Sequence, residues 1–210
     1  MPIPRLRRGL YLITPDARDA DALLARVRPL LPLAACLQLR CKSMDATALR
    51  LAGTRLRAAC REAGIPLIVN DDPQLAAQVD ADGVHLGEHD GGIAAARAML
   101  GPGRLIGASC YDSLQRARSA AAAGADYVAF GAFHPSPSKP GARRASPDLL
   151  RDSAGIGLPR VAIGGITPDN ARPLVAAGAE LIAVISGVFD APDPVAAARA
   201  YLTCFEDPTP

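Results

Sequence analysis

The sequence predicts a single-domain α/β protein folded as a (β/α)8 TIM barrel, and three observations support this fold. Eight short apolar runs, typical of strands buried on both faces, alternate with longer amphipathic stretches. The runs start 17 to 33 residues apart, so each gap can hold a crossover helix. The chain has 210 residues, near the lower limit of about 200 for such a barrel. An open doubly wound sheet is the alternative, but Thr14–Ala17 is not the Gly-rich loop expected after its first strand.

The strand candidates are nearly all apolar and follow one another along the whole chain. In order they are Leu10–Ile13, Cys36–Arg40, Pro66–Asn70, Gly83–Leu86, Leu105–Ser109, Tyr127–Phe130, Arg160–Ile163 and Leu181–Ile185. The stretches between them have the spacing of helices with one apolar face. Two such faces are formed by Leu23, Val27 and Leu30, and by Leu49, Ala52, Leu56 and Ala59.

A short phrase containing glycine recurs where helices give way to strands, at Gly64, Gly124 and Gly178. Glycine can adopt the left-handed conformation that ends a helix, so the repetition indicates a repeated βα unit. The domain is predicted to span residues 1–210. It carries one long Pro- and Gly-containing loop at about 134–146, which we expect to be a substrate loop, and a frayed tail at about 206–210.

Composition excludes several functional classes. Net charge is only +2 and there is no basic block interleaved with aromatic residues, so we expect no nucleic-acid partner. No apolar run approaches the roughly 20 residues of a membrane span, and no signal peptide is recognisable. The five cysteines are odd in number and lack Cys-x-x-Cys spacing, which predicts reduced thiols in a cytoplasmic protein. A homo-oligomer is left open.

Polar residues gather where the predicted strands end, which is the face that carries catalysis in such barrels. Gln38, Arg40 and Lys42 alternate, so an extended strand would place them on one face and build an anion site. Solvated charges at a strand end are the alternative interpretation. Ser109 ends the fifth strand, and Ser136, Ser138 and Lys139 follow the sixth.

Two carboxylates, Asp71 and Asp90, follow neighbouring strands and would suit Mg²⁺ shared with phosphate oxygens. Ion pairing of these carboxylates with Arg40 or Lys42 is nearly as well supported. Asp72 precedes Pro73 and is expected to cap a helix. For His85 we expect a hydrogen bond inside the barrel, because no third zinc ligand accompanies His85 and His89.

Glycines follow the last two strands, at Gly164-Gly165 and Ser186-Gly187. Barrels frequently bind a phosphate at this pair of loops through backbone N–H groups. Ordinary tight turns are the alternative. The occurrence of both pairs at the expected strands favours a phosphate site.

The chain resembles the thiamine-phosphate synthase family (thiamine-phosphate pyrophosphorylase) in segments that follow one another in family order along nearly its whole length. These segments are Leu10–Thr14, Gln38–Lys42, Leu67–Asp72, Asp82–Asp90, Ile106–Ser109, Asp126–Gly131, Ala162–Ile166 and Ile185–Ser186. The resemblance implies a (β/α)8 transferase. It would join 4-amino-2-methyl-5-hydroxymethylpyrimidine diphosphate to a thiazole phosphate, or its carboxylate form, and release pyrophosphate.

The resemblance also implies roles for individual residues. The pyrimidine diphosphate would contact Gln38, Arg40, Lys42, Asn70, Ser109 and Lys139, of which Ser109, Lys139, Arg40 and Lys42 would act on the leaving group. The thiazole phosphate would contact Ser136, Ser138, Gly165, Ile185 and Ser186. Mg²⁺ would be held by Asp71 and Asp90.

One departure from the family pattern lies in the loop after the sixth strand. The family loop usually has Pro-Thr-x-Thr-Lys, whereas this chain has Pro135-Ser136-Pro137-Ser138-Lys139. Serine keeps the hydroxyl and loses a methyl group, so the contacts are expected to survive. Two other functions compete with the synthase: a thiazole tautomerase-like isomerase, and a barrel that binds thiazole phosphate without catalysis.

Overall fold

A computed structural model of the chain describes residues 6–135 and 143–206 and contains the predicted barrel. Eight parallel strands pair in sequence order, and the last closes on the first. They are β1 (Gly9–Ile13), β2 (Cys36–Leu39), β3 (Leu67–Asn70), β4 (Gly83–Leu86), β5 (Leu105–Tyr111), β6 (Tyr127–Gly131), β7 (Arg160–Ile163) and β8 (Leu181–Val184). Pairing of Leu10 with Ile182 closes the barrel and excludes the open sheet.

Nine α-helices connect or follow the strands within the described ranges. They are α1 (Ala20–Val27), α2 (Ala46–Ala63), α3 (Pro73–Gln78), α4 (Ile93–Leu100), α5 (Leu114–Ala122), α6 (Pro147–Asp152), α7 (Pro168–Ala176), α8 (Ser186–Phe189) and α9 (Pro194–Leu202). The left-handed glycines are confirmed, with φ of 69° at Gly64, 93° at Gly124 and 107° at Gly178. None of these helices is long and apolar enough to span a bilayer.

Alternation along the strands divides the core into two layers. Leu10 and Leu12 point outward into a large aliphatic layer between strands and helices, where Leu23, Val27 and Leu56 are buried. Tyr11 and Ile13 point inward and belong to a smaller cluster inside the barrel. Polar inward residues of β2, β4 and β5 lie toward the carboxyl ends of these strands, so this end of the barrel interior is polar.

Several element boundaries differ from the sequence-based predictions, most of them by one residue; β5 continues two residues past its predicted end at Ser109, to Tyr111. Helix α1 ends at Val27, so Leu30 lies in the 3-10 segment Arg28–Leu33 rather than on the helix, because Pro29 and Pro32 interrupt α-helical hydrogen bonding. Leu30 is nevertheless fully buried. Strand β2 ends at Leu39, one residue before the predicted end.

All five cysteines are buried free thiols, which confirms the prediction of reduced cysteines. Burial raises the pKa of the Cys60 and Cys110 thiols to about 12. These thiols are therefore protonated packing groups at neutral pH. A cytoplasmic location stays a prediction.

Acidic residues just before β4, β6 and β8 connect neighbouring strands at the amino end of the barrel. Asp82 accepts the backbone N–H of Leu67 at 2.8 Å, Asp126 that of Ile106 at 2.7 Å, and Glu180 that of Arg160 at 2.7 Å. Arginines pair with the same carboxylates, as Arg97 does with Asp126 at 2.5 Å. The repeated contact explains why an acid precedes β4, β6 and β8.

Asp126→Ala should lower the free energy of unfolding by about 2–3 kcal/mol, because it leaves the Ile106 N–H without its acceptor and the half-buried Arg97 guanidinium without its carboxylate partner, with only backbone carbonyls to bond to. Glu62→Ala is the matched control, since it breaks an exposed ion pair with Arg28 and should cost under about 1 kcal/mol. Urea unfolding of the two variants measures the difference. Equal costs would mean that the Asp126 contact carries no special stability.

Candidate active site

The end of β2 is held in place by the loop that follows β1. The buried hydroxyl of Thr14 donates to the Arg40 carbonyl at 2.7 Å and accepts the Arg40 N–H at 2.8 Å. Two residues after Thr14, the Asp16 carboxylate accepts the Lys42 N–H at 2.6 Å. These contacts turn the chain out of the strand and fix the backbone that carries both cations.

Of the predicted set Gln38, Arg40 and Lys42, only Gln38 lies within the strand, because β2 ends at Leu39. Gln38 lies within β2, points into the barrel and is 3% exposed. Arg40 is half-buried at the rim, whereas Lys42 is exposed. Exposure of the three side chains therefore increases from the barrel interior at Gln38 to the surface at Lys42.

Asp71 and Asp90 lie close together at the rim, as the sequence predicts. Asp71 has left-handed backbone, with φ of 63°, and its N–H donates to the His85 carbonyl at 2.8 Å. The Asn70 amide donates to the Asp71 carboxylate at 2.5 Å. Partial removal from water, together with the hydrogen bond and repulsion from Asp90, raises the pKa of Asp71 to about 6.

Arg40 lies close enough to this carboxylate pair for its positive charge to oppose the rise in the pKa of Asp71. Asp90 is oriented by Gly87, whose N–H donates to the Asp90 carboxylate at 2.9 Å. A Cβ at Gly87 would lie 2.5 Å from the same carboxylate oxygen, so the close approach requires glycine. Two facing carboxylates and a nearby guanidinium thus occupy one part of the rim.

His85 forms the hydrogen bonds expected of it inside the barrel. Its Nε2 lies 2.9 Å from the Ser109 hydroxyl, and its Nδ1 lies 3.1 Å from the Tyr127 hydroxyl. Burial lowers the pKa of His85 to about 4, although the Asp90 charge acts in the opposite direction. The imidazole is therefore neutral near pH 7. No group of three His, Cys, Asp or Glu side chains that could hold a metal ion occurs in the described residues.

The loop after β6 is described at both ends, while Ser136, Ser138 and Lys139 lie outside the described residues. On the leading side, His134 N–H donates to the Gly164 carbonyl at 2.9 Å. On the trailing side, Arg143 pairs with Glu88 at 2.6 Å and lies 4.4 Å over the Tyr111 ring. Both ends of the loop are thus attached to neighbouring rim segments.

The loops after β7 and β8 adjoin one another. Gly165 has φ of +61°, and the Asn170 amide donates to its carbonyl at 3.2 Å. Tyr201 donates to the Ile166 carbonyl at 2.8 Å and lies 2.3 Å from where a Cβ of Gly187 would stand. Of the predicted phosphate residues, Gly165 lies in the loop after β7, whereas Ile185 joins β8 to α8 and Ser186 is the first residue of α8. All three lie at the same end of the barrel as Asp71.

Comparisons with known proteins assign the chain to a family. A family model described as thiamine monophosphate synthase matches residues 10–188. The chain belongs to the thiamine-phosphate synthase family. A thiamine-phosphate synthase from Xanthomonas campestris pv. campestris (strain 8004) is 62% identical over 206 residues, covering 98% of this chain and 99% of the relative. One from Aromatoleum aromaticum is 56% identical, covering 98% of this chain and 100% of the relative.

A solved member of the thiamine-phosphate synthase family has the same fold. The thiamine phosphate pyrophosphorylase from Pyrococcus furiosus superposes with a TM-score of 0.84 at 35% identity, covering 95% of this chain and 96% of the other. The family assignment confirms the resemblance derived from the ordered segments, and with it the prediction of an enzyme. It does not favour the tautomerase or the non-catalytic barrel.

Sequence reasoning missed four residues that organise the site in this family member. Thr14 and Asp16 hold the end of β2, while Tyr11 and Tyr127 form a hydrogen bond at 2.9 Å inside the barrel. Gly107, in the middle of β5, is the sequence feature that could have indicated a large side chain packed against this strand. A Cβ there would lie 2.0 Å from the Tyr127 ring, and a glycine within a strand often marks such an approach.

Proposed function

We propose that this chain joins 4-amino-2-methyl-5-hydroxymethylpyrimidine diphosphate to a thiazole phosphate, forming thiamine phosphate and pyrophosphate. One observation carries the proposal: the carboxylates of Asp71 and Asp90 face each other beside Arg40, at the mouth of a polar barrel interior. A reaction that expels diphosphate needs a site for a divalent cation and positive charge at the same place. The family assignment supports the same reaction.

The donor set fits Mg²⁺. Repulsion from Asp90 contributes to the raised pKa of Asp71, and a divalent cation would stabilise the two carboxylates, whose ligand atoms are hard oxygens. Mg²⁺ typically takes one or two carboxylates and completes its octahedron with water and substrate phosphate, so the absence of a third described His, Cys, Asp or Glu ligand agrees with this ion. When bound, it supplies neutralisation of charge on the departing diphosphate.

The reaction proceeds by dissociative substitution in this proposal. The carbon–oxygen bond breaks, its electron pair leaves with the diphosphate, and a pyrimidinylmethyl cation remains. The thiazole nitrogen then donates its lone pair to that carbon. No protein nucleophile is required, so the work of the chain is to bind, orient and stabilise charge.

Each predicted side chain has a defined task. Arg40 and Lys42 stabilise the negative charge that grows on the leaving group, and Lys139 does the same from the loop after β6. Ser109 donates a hydrogen bond to the same oxygens, while Asn70 orients Asp71. Gln38, at the floor of the mouth, contacts the pyrimidine ring.

The thiazole phosphate is assigned to the adjoining loops after β7 and β8. Because the Gly165 carbonyl is held by Asn170, its backbone is fixed in the left-handed conformation without a side chain in the way. Gly165 contacts the phosphate from the loop after β7, Ile185 and Ser186 contact it from the start of α8, and Ser136 and Ser138 contact it from the loop after β6. The loop at 134–146 excludes water, which would otherwise capture the cation.

Pyrophosphate release tests the proposed function. With both substrates and Mg²⁺, the protein should form equal amounts of pyrophosphate and thiamine phosphate, and chelation with EDTA should abolish both. Binding of thiazole phosphate without pyrophosphate release would identify a non-catalytic barrel instead. Isomerisation of the thiazole in the absence of the pyrimidine would identify a tautomerase.

Metal affinity should depend on pH through Asp71. Its raised pKa means that the metal-free site holds a proton below about pH 6, and a divalent cation must displace it. Mn²⁺ binding, followed by EPR without substrates, should weaken up to tenfold per pH unit below pH 6 and level off above pH 7. Affinity that is constant from pH 5 to 7 would contradict the assignment of Asp71 as a ligand.

A further inference from the structure

Five side chains from five strands form a continuous hydrogen-bonded chain across the barrel interior. The Gln38 amide nitrogen lies 2.9 Å from the Tyr11 hydroxyl, which lies 2.9 Å from the Tyr127 hydroxyl. The Tyr127 hydroxyl lies 3.1 Å from Nδ1 of His85, and Nε2 of His85 lies 2.9 Å from the Ser109 hydroxyl. We call this series of hydrogen-bonded side chains the Gln38–Ser109 relay.

The Gln38 end determines the direction in which the relay's protons point. An amide nitrogen can only donate, so the Tyr11 oxygen accepts. Tyr11 is 2% exposed, and a buried phenol proton without an acceptor is costly. The only other described side chain that bonds to Tyr11 is Tyr127, so Tyr11 donates to Tyr127.

The remaining hydrogen bonds of the relay, from Tyr127 to Ser109, have the same direction. Tyr127 is fully buried and has already accepted from Tyr11, so its proton goes to Nδ1 of His85. Since Nδ1 accepts this proton, it carries none of its own, and the imidazole proton must lie on Nε2, which donates it to the Ser109 oxygen. The Ser109 proton is left for an acceptor at the barrel mouth.

We propose that Tyr11, Tyr127 and His85 are positioning residues that hold the Ser109 hydroxyl as a hydrogen-bond donor toward the departing diphosphate. This inference rests on the proposed function, which supplies the oxygen that Ser109 meets. A donor aimed in advance at growing negative charge stabilises the transition state more than a hydroxyl that must first turn. If the Gln38 amide were rotated so that its oxygen faced Tyr11, the direction of every hydrogen bond in the relay would reverse. Ser109 would then donate its proton to His85 rather than to the diphosphate.

Packing keeps the relay in register. The Tyr127 ring stacks on His85, with ring centroids 5.5 Å apart and planes inclined by 26°. Gly107 pairs with both His85 and Tyr127 in the sheet, and a Cβ at this position would lie 2.3 Å from the Tyr127 hydroxyl. Because Gly107 has no side chain, the Tyr127 phenol has room to reach the His85 imidazole.

The direction of the relay is tested by ¹⁵N NMR of histidine-labelled protein. The chain has three histidines, so His89→Gln and His134→Gln variants identify the His85 signals. The inference requires a neutral His85 with its proton on Nε2 and an unprotonated Nδ1. A proton on Nδ1, or exchange between the two nitrogens, would overturn it. Tyr127→Phe should disturb this tautomer, whereas Tyr201→Phe, which also removes a buried hydroxyl, should leave it unchanged.

A double-mutant cycle tests whether Tyr127 acts through Ser109. Tyr127→Phe should lower kcat about three- to tenfold with a smaller change in KM, and should have little further effect in a Ser109→Ala background. Independent effects of the two substitutions would overturn the positioning role. If the wild-type protein forms no thiamine phosphate, the proposed function is wrong. If turnover is normal but His85 has the other tautomer, only the relay is wrong.

Discussion

Asp71→Asn should slow Mg²⁺-dependent pyrophosphate release by about two to three orders of magnitude while leaving the fold intact. The substitution keeps the shape and the contact with Asn70 but removes half of the carboxylate charge that would hold the ion. A metal that neutralises a leaving group contributes several kcal/mol to transition-state stabilisation, and each 1.36 kcal/mol is a tenfold change in rate. Asp90→Asn should have a similar effect, because Asp90 supplies the other half of the pair.

Asp72→Asn is the matched control for this experiment. It makes the same change one residue away, but Asp72 caps α3 by accepting the Leu75 N–H at 2.9 Å. Asparagine caps helices about as well as aspartate, so both stability and turnover should stay near those of the wild type. Turnover of Asp71→Asn within a few-fold of the wild type, at saturating Mg²⁺, would refute the metal assignment. Circular dichroism of both variants excludes misfolding as the cause.

Gly165→Ala should raise the KM for thiazole phosphate about ten- to hundredfold and leave the KM for pyrimidine diphosphate nearly unchanged. At φ of +61° a side chain is strained, and the new Cβ would stand 2.3 Å from the Pro135 carbonyl oxygen and 2.7 Å from that of His134. Either the loop after β7 or the start of the loop after β6 must move. Loss of a charge-assisted hydrogen bond to phosphate accounts for the expected size.

Gly157→Ala separates backbone strain from displacement of the loops. Gly157 has a comparable φ of +75°, but nothing lies within 4 Å of where its Cβ would stand. Gly157→Ala should therefore lose only the stability that backbone strain costs, less than Gly165→Ala loses, without changing either KM. If Gly165→Ala instead raised only the KM for pyrimidine diphosphate, the two substrate sites would have to be exchanged.

The positions of the carboxylates show how far local sequence leads toward the site. Asp71 and Asp90 follow β3 and β4, and because parallel neighbours end at the same edge, their proximity is predictable from strand order alone. The spread of Gln38, Arg40 and Lys42 was not predictable in this way. Nor was the anchoring of this segment predictable, because Thr14 and Asp16 accept the backbone N–H groups of Arg40 and Lys42 across 26 residues of sequence.

The sequence by itself determined the barrel, its eight strands, the glycines that end helices and the face that carries the polar residues. These features depend on local periodicity and on which residue types tolerate a given backbone conformation. Only the tertiary structure decided which inward residues meet. Tyr11 and Tyr127 are 116 residues apart and sit in apolar runs whose two faces are both buried, so their spacing carries no sign of the hydrogen bond between them. Barrel closure brings them together, because it turns alternate residues of distant strands into one confined, water-poor interior where each polar group must find a partner.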